Sequence, residues 1–352
     1  MAASTLSNTA AWLSAPKAQF EVKPAPLGTP RENQILVRNH AIAINPIDAK
    51  IHQGAPYPVT FPAILGEDVA GEVVAVGSNV TRFRPGDRVA GAAAGFFTKR
   101  PEETAFQTYT VLEANVSCRL PHSLSYEQAV IFPLGLSTAA AALFGADLLD
   151  LRLPTYPARQ PTGGKEEVLL VWGGASSVGL NAIQLAVAAG YEVLTTCSPA
   201  NFPLVERLGA SRAFDYRSPT VVADLVAAVR QGKGRTSVGA FDAVGGHAAC
   251  VEFVRRAAEG GGVKFVATAV RGFVEPAPGE GVRIRQCQSL TIKDNHIGQA
   301  VWEDYLPQAL EGGGFVPAPE PRVVGRGLEA VQAAVELKAR GVSAREKVVV
   351  VL

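Results

Sequence analysis

Apolar and polar residues alternate along this chain in two different textures. Up to about residue 125, short apolar runs such as "NQILVRNHAIAI" (33–44), "AGEVVAVG" (70–77) and "AFQTYTVL" (105–112) are cut by Gly, Pro, Asn and Asp. Strands this closely spaced predict a compact β-rich, barrel-like unit. Beyond that point β-like runs alternate with helical ones. "EEVLLVWGG" (166–174) precedes "SVGLNAIQLAVAAG" (177–190), "YEVLTTCS" (191–198) precedes "NFPLVERLGA" (201–210), and the pattern continues through "TVVADLVAAVRQGKG" (220–234), "AACVEFVRRAAEGG" (248–261) and "GVKFVATAV" (262–270). Such alternation predicts an α/β architecture with a doubly wound parallel sheet. Two more helices are expected at 301–313 and 328–341, a closing strand at 346–352, and an exposed loop at 145–167, where Pro and Gly gather.

A chain of 352 residues is longer than one core usually serves. The expected division is 1–130, completed by 298–352, and 131–297.

Composition excludes more than it assigns. The formal net charge is +1, which gives no footprint for nucleic acid or an anionic membrane. Four cysteines with no C-x-x-C pair argue against a disulfide framework and a cysteine-rich zinc lobe, and read as free thiols. No basic-then-apolar leader and no apolar run near the length of a membrane span is visible, so a cytoplasmic protein is expected.

The most informative turn is "LLVWGGASSVGLNAIQLA": an apolar strand, small residues, then at once an apolar-periodic helix. Gly174, Ser176 and Gly179 have the G-x-G-x-x-G spacing of a dinucleotide site, with serine in the middle slot. Small residues let the backbone approach a pyrophosphate, and the helix start offers unpaired N–H groups. The second strand ends "TTCSPAN" with no carboxylate to bind a ribose 2′-hydroxyl. Ser198 and Asn201 are neutral donors, and Tyr216 and Arg217 follow the third strand, so NADP(H) is expected rather than NAD(H).

With "AINPIDAK" (43–50), "LGEDVAGEVVAVG" (65–77), "PGDRV" (85–89), "FPLGLSTAA" (132–140), "GGASSVG" (173–179) and "EKVVV" (346–350), the chain resembles the medium-chain dehydrogenase/reductases over nearly its whole length. The resemblance implies an N-terminal GroES-like β-barrel domain, a Rossmann domain, and substrate in the cleft between them. In zinc-dependent members a Cys would stand at Asn45, a His at Glu67 and a Cys or similar ligand at Leu134. A catalytic zinc needs about three protein ligands, so no metal is expected here.

"TCSPANF" (196–202), "FDYRSPT" (214–220) and the insertion at 145–167 are similar to stand-alone enoyl reductases of the lovastatin type, which serve fungal polyketide synthases in trans. By this resemblance Ile47, Asp48 and Lys50 lie near the nicotinamide and its ribose, and Thr138 faces the nicotinamide. Gly174, Ala175, Ser176, Ser177 and Val178 take the pyrophosphate. Ser198, Pro199, Ala200, Asn201 and Tyr216 take the 2′-phosphate. Val266 and Ala267, after the fifth strand, border the nicotinamide, and Val342 and Ser343 close over it.

Without a Lewis acid, the accessible chemistry is hydride addition to an already electrophilic C=C bond. The implied substrate is a small-molecule or carrier-bound acyl thioester, with a polyketide synthase as partner and the protein a monomer or homodimer. Lys50 and Asn45 are the candidate catalytic residues, Lys50 as enolate stabiliser or proton donor. Asp48 either orients Lys50 or caps a turn after Pro46, and the cap is the favoured reading. Glu67 and Asp68 are adjacent in a strand and leave it on opposite faces, so Glu67 is given no catalytic role. His52, His247 and His296 read as packed or surface residues, and Cys197 lacks a neighbouring base. A quinone or enone reductase and a non-catalytic NADPH-binding protein are the competing readings.

Overall fold

The computed structural model describes residues 6–160, 166–231, 234–259, 261–276 and 281–352. Parts of the expected loop at 145–167 and of the helices at 220–234 and 248–261 (residues 161–165, 232–233 and 260) lie outside the described residues. The chain forms two compact units, one of residues up to Leu134 with Pro317–Leu352, the other Gly135–Val316. Residues 298–316, expected with the first unit, belong to the second.

In the first unit, a seven-stranded mixed sheet runs in the order Glu320–Arg326, Glu346–Val351, Gln34–Ala43, Asp68–Val76, Arg88–Ala92, Ser117–Arg119, with Tyr109–Glu113 also paired to Gln34–Ala43. A second sheet joins Phe20–Ala25, Asn8–Leu13 and Ala63–Ile64. Register breaks between Leu36 and Val37 and between Asn39 and Ala41 bend the long strand Gln34–Ala43, as bulges do in barrels. Ile35, Val37, Ile42, Val69, Val73, Val89, Val348 and Val350 form the interior, covered by Val331, Ala334 and Val335 of the helix Val331–Arg340. The closing strand is therefore core, antiparallel to Gln34–Ala43 through Val349 opposite Ala43.

In the second unit, six parallel strands run in the order Arg212–Asp215, Glu192–Cys197, Glu167–Trp172, Thr236–Asp242, Phe265–Thr268, Arg283–Gln286. In chain order this is 3-2-1-4-5-6, the doubly wound order with its reversal between Glu167–Trp172 and Thr236–Asp242. The sixth strand was not anticipated, because "VRIRQ" is a short run of alternating charge inside a long polar segment. The segment after Leu143 is less exposed than its composition predicts. Leu149 and Leu151 are buried, and the Tyr156 hydroxyl donates to the Gly312 carbonyl at 2.7 Å.

Among the described residues, the helical stretch Tyr126–Phe144 has the length and apolar composition of a membrane span, which the sequence reading missed; 78% of that window is buried inside the protein, as in a core helix. The four cysteines are all free and buried.

Candidate functional site

In the first unit the site begins where Gln34–Ala43 ends. Pro46 opens the short helix Pro46–His52, a position that needs no N–H and suits a fixed φ. Asp48, at the third helical position and buried, accepts the Asn45 N–H at 2.7 Å and the Gly66 N–H at 3.1 Å. Asp48 is thus the cap that was expected. Gly66 has φ +96°, and a Cβ there would stand 2.3 Å from the Phe106 ring, so only glycine makes this bend.

After the bend the two carboxylates part. Asp68, fully buried, accepts the Asn45 side-chain amide at 2.7 Å and the Leu134 N–H at 2.7 Å. Lys347 Nζ, buried in the closing strand, lies 2.8 Å from Asp68 Oδ2 and donates to Asn45 Oδ1 at 2.6 Å. Asn45, Asp68 and Lys347 thus form a closed internal network. Asn45 is corrected by this: it is buried, its amide serves Asp68 and Lys347, and it does not line the cavity that Glu67 borders. Lys347 escaped the sequence reading, although a lone lysine inside "EKVVVVL" was the available signal.

Glu67 goes the other way. It is 4% exposed, its carboxyl makes no hydrogen bond or ion pair among the described residues, and it lines a cavity of about 400 Å³ within this unit. Trp12, Ile51, Val59, Leu65 and Phe96 give that cavity apolar walls. Burial, reinforced by the Asp48 and Asp68 carboxylates and opposed by Lys347, holds the Glu67 pKa well above the usual carboxylate range. Burial also pushes Asp48 up to about 7, against the two N–H groups it accepts. Lys50 is exposed, and it neither lines this cavity nor makes an ion pair among the described residues. Ile47 lines the cavity, and Val342 is packed against the barrel core with Ser343 exposed beside it.

A zinc ion does not fit these residues. Asn45 is bound to an ammonium, Leu134 offers no donor side chain, and Asp48 and Asp68 are already committed to N–H groups and Lys347. No three His, Cys, Asp or Glu side chains gather as a metal site among the described residues.

In the second unit, Trp172 ends the first parallel strand and the helix Ser177–Ala188 starts five residues later. A Cβ on Gly174 would stand 2.0 Å from Thr195 Oγ1, so the turn is pressed against its neighbouring strand. Ser176 caps the helix by accepting the Gly179 N–H at 3.0 Å, which leaves its O–H to donate. Ser177 Oγ is buried with no partner. A small-residue cradle and an orphaned hydroxyl at a helix start fit a nucleotide pyrophosphate. Ala175 and Val178 belong to the same turn, and Thr138 is half-buried on the helix Pro133–Phe144.

Ser198 follows the second strand, and its hydroxyl has no bond among the described residues. Pro199, Ala200 and Asn201 form the single turn after it. Tyr216 is 47% exposed, but Arg217 is bound to Asp215 through contacts of 3.0 and 3.1 Å. Asp215, a carboxylate the sequence reading passed over, is thereby neutralised, and Arg217 holds its carboxyl below the usual range. Val266 and Ala267 are corrected: both are fully buried inside the strand Phe265–Thr268 and not after it. The residues beyond its end are Ala269 and Val270. At the fourth strand Asp242, fully buried, accepts the N–H groups of Val244, Gly245 and Gly246 at 3.1, 2.8 and 2.9 Å. His247 Nδ1 is 2.6 Å from its other oxygen, so that histidine is not isolated.

Comparison with known proteins agrees with the two-domain fold. The family model "Alcohol dehydrogenase GroES-like domain" matches residues 31–122. The zinc-binding alcohol dehydrogenase domain-containing protein cipB of Emericella nidulans is 51% identical over 348 residues, covering 99% of each chain. The trans-enoyl reductase himH of Aspergillus japonicus is 37% identical over 350 residues, covering 98% of each. Among solved structures, an alcohol dehydrogenase superfamily protein from Novosphingobium aromaticivorans has a TM-score of 0.77 at 25% identity, over 98% of this chain and 99% of its own.

Proposed function

The chain belongs to the medium-chain dehydrogenase/reductase superfamily as an oxidoreductase of the enoyl-reductase type, and we propose that it reduces an α,β-unsaturated acyl thioester with NADPH, without a metal. The observation that carries this reading is the apolar cavity lined by the buried Glu67 carboxyl, with asparagine, glutamate and leucine at the three positions (45, 67 and 134) where zinc ligands would be needed.

Gly174 to Val178 would hold the pyrophosphate. Ser198 to Asn201 and Tyr216 would hold the adenosine 2′-phosphate, which no carboxylate at the end of Glu192–Cys197 repels. The bound cofactor supplies hydride for the β-carbon of the substrate. The apolar walls take the acyl chain and keep water from the site. The acyl group is carrier-bound in this proposal, with a polyketide synthase as partner in the cytoplasm.

The test follows NADPH and NADH oxidation with an enoyl thioester, in N-acetylcysteamine and carrier-bound forms, beside a quinone and an alkyl enone. Turnover of the thioester with NADPH is expected. Turnover of the quinone alone, or tight NADPH binding with no turnover at all, overturns it.

A further inference from the structure

We propose that Glu67 is the catalytic proton donor, delivering its carboxyl proton to the α-carbon of the reduced acyl thioester. The inference rests on the enoyl-reductase reading and names the acid that this reading requires.

The polar groups around the cavity leave one candidate. Asp48 has its oxygens taken by the N–H groups of Asn45 and Gly66. Lys99 Nζ donates to the carbonyls of Pro58 and Phe96 at 2.8 and 2.7 Å. Arg100 is paired with Glu102 and Glu103. The Thr60 and Thr104 hydroxyls also line the cavity and are too weakly acidic to protonate a carbon. Asn45, Asp68 and Lys347 are closed into each other and do not line it. Among the described residues that line the cavity, Glu67 is the acid that combines burial with a carboxyl free of any hydrogen bond or ion pair.

Its setting keeps the proton in place. The Asp48 carboxylate on the helix Pro46–His52 and the Asp68 carboxylate next along the chain both disfavour a further negative charge on Glu67, while Lys347 of the closing strand opposes them. Lys338, on the helix Val331–Arg340, is coupled to Asp48 and Lys347, and burial draws its pKa down to about 8. The sum holds the Glu67 pKa well above that of an ordinary glutamate.

The step balances. The substrate β-carbon would take the C4 hydride of a bound reduced nicotinamide, which becomes oxidised, and the π electrons of the substrate would move to an enolate. The α-carbon then takes the Glu67 proton, the O–H electron pair stays on the carboxylate, and solvent returns a proton once product has left.

Glu67→Gln tests this, because the amide keeps the volume without an acidic proton. The variant should lose about 100-fold in kcat, with KM and NADPH affinity near those of the parent protein. The parent's rate should fall as pH rises through the Glu67 pKa, and the variant should lack that limb. In D2O the parent should deuterate one face of the α-carbon and the variant both. Infrared difference spectra of the unliganded protein should show a protonated-carboxyl band at neutral pH that Glu67→Gln removes. Parent-like kcat and stereochemistry in Glu67→Gln, or no such band, overturns the assignment of the donor. A parent protein inert towards every enoyl thioester overturns the reaction and the donor together.

Discussion

Lys347 Nζ lies 2.8 Å from Asp68 Oδ2 with both side chains out of reach of water. A single lysine of the closing strand thereby balances a carboxylate at the start of the strand Asp68–Val76. Breaking a buried pair from one side leaves an uncompensated charge, at a cost of about 3–5 kcal/mol. Lys347→Met should lower the melting temperature of the protein strongly, and Lys347→Met with Asp68→Asn should recover part of the loss. A single variant as stable as the parent would show that the pair contributes nothing.

Gly174→Ala puts a methyl where Thr195 Oγ1 allows 2.0 Å. The strands must shift, at a cost of about 1–3 kcal/mol for an overpacked site, and the turn moves away from its nucleotide geometry. NADPH affinity should fall at least tenfold, measured by fluorescence quenching, with far-UV dichroism unchanged.

Ser198→Asp places a carboxylate after Cys197, where the proposed 2′-phosphate lies. Charge repulsion should weaken NADPH by about 10- to 100-fold, while NADH gains a partner for its ribose hydroxyl. Isothermal titration with both cofactors measures the reversal, and equal NADPH affinity in parent and variant would sink the assignment.

Asp48 keeps its proton up to about pH 7 in the folded protein against 3.8 in an ordinary setting. Between those values the native state binds more protons than the unfolded chain, so stability is present below the lower value and falls as pH rises through the upper one. The Asp48 share is on the order of 4 kcal/mol, at about 1.4 kcal/mol per pKa unit. Glu67 acts in the same direction. Melting temperatures across this range should therefore decline more steeply for the parent than for Asp48→Asn.

Local chemistry explains what the sequence disclosed. The strand–turn–helix around Gly174 is contiguous, so its small residues, cap and helix could be read together. The two folds followed from strand spacing in one half and strand–helix alternation in the other. Lys347 could not be placed by the same means, because its partner Asn45 is 302 positions away and nothing local marks the pairing. Glu67 diverges from Asp68 as expected, yet the lack of a bond to its carboxyl among the described residues depends on Phe96, Val59 and other segments that converge only in three dimensions. Val266 and Ala267 were misplaced because a strand end is set by its neighbours' register, here Ala240 opposite Val266 and Asp242 opposite Thr268.

The closing strand also dictates an order of events during synthesis. Asn45 and Asp68 leave the ribosome long before Lys347, and the long strand Gln34–Ala43 must wait for its neighbour Glu346–Val351. Between those moments the nascent barrel carries an open edge and a carboxylate without its counterion. All the strands of the second unit have been translated by then. The second unit can therefore pair its strands while the barrel is still unfinished, and a lesion that stops translation before residue 347 leaves the first unit incomplete rather than the second.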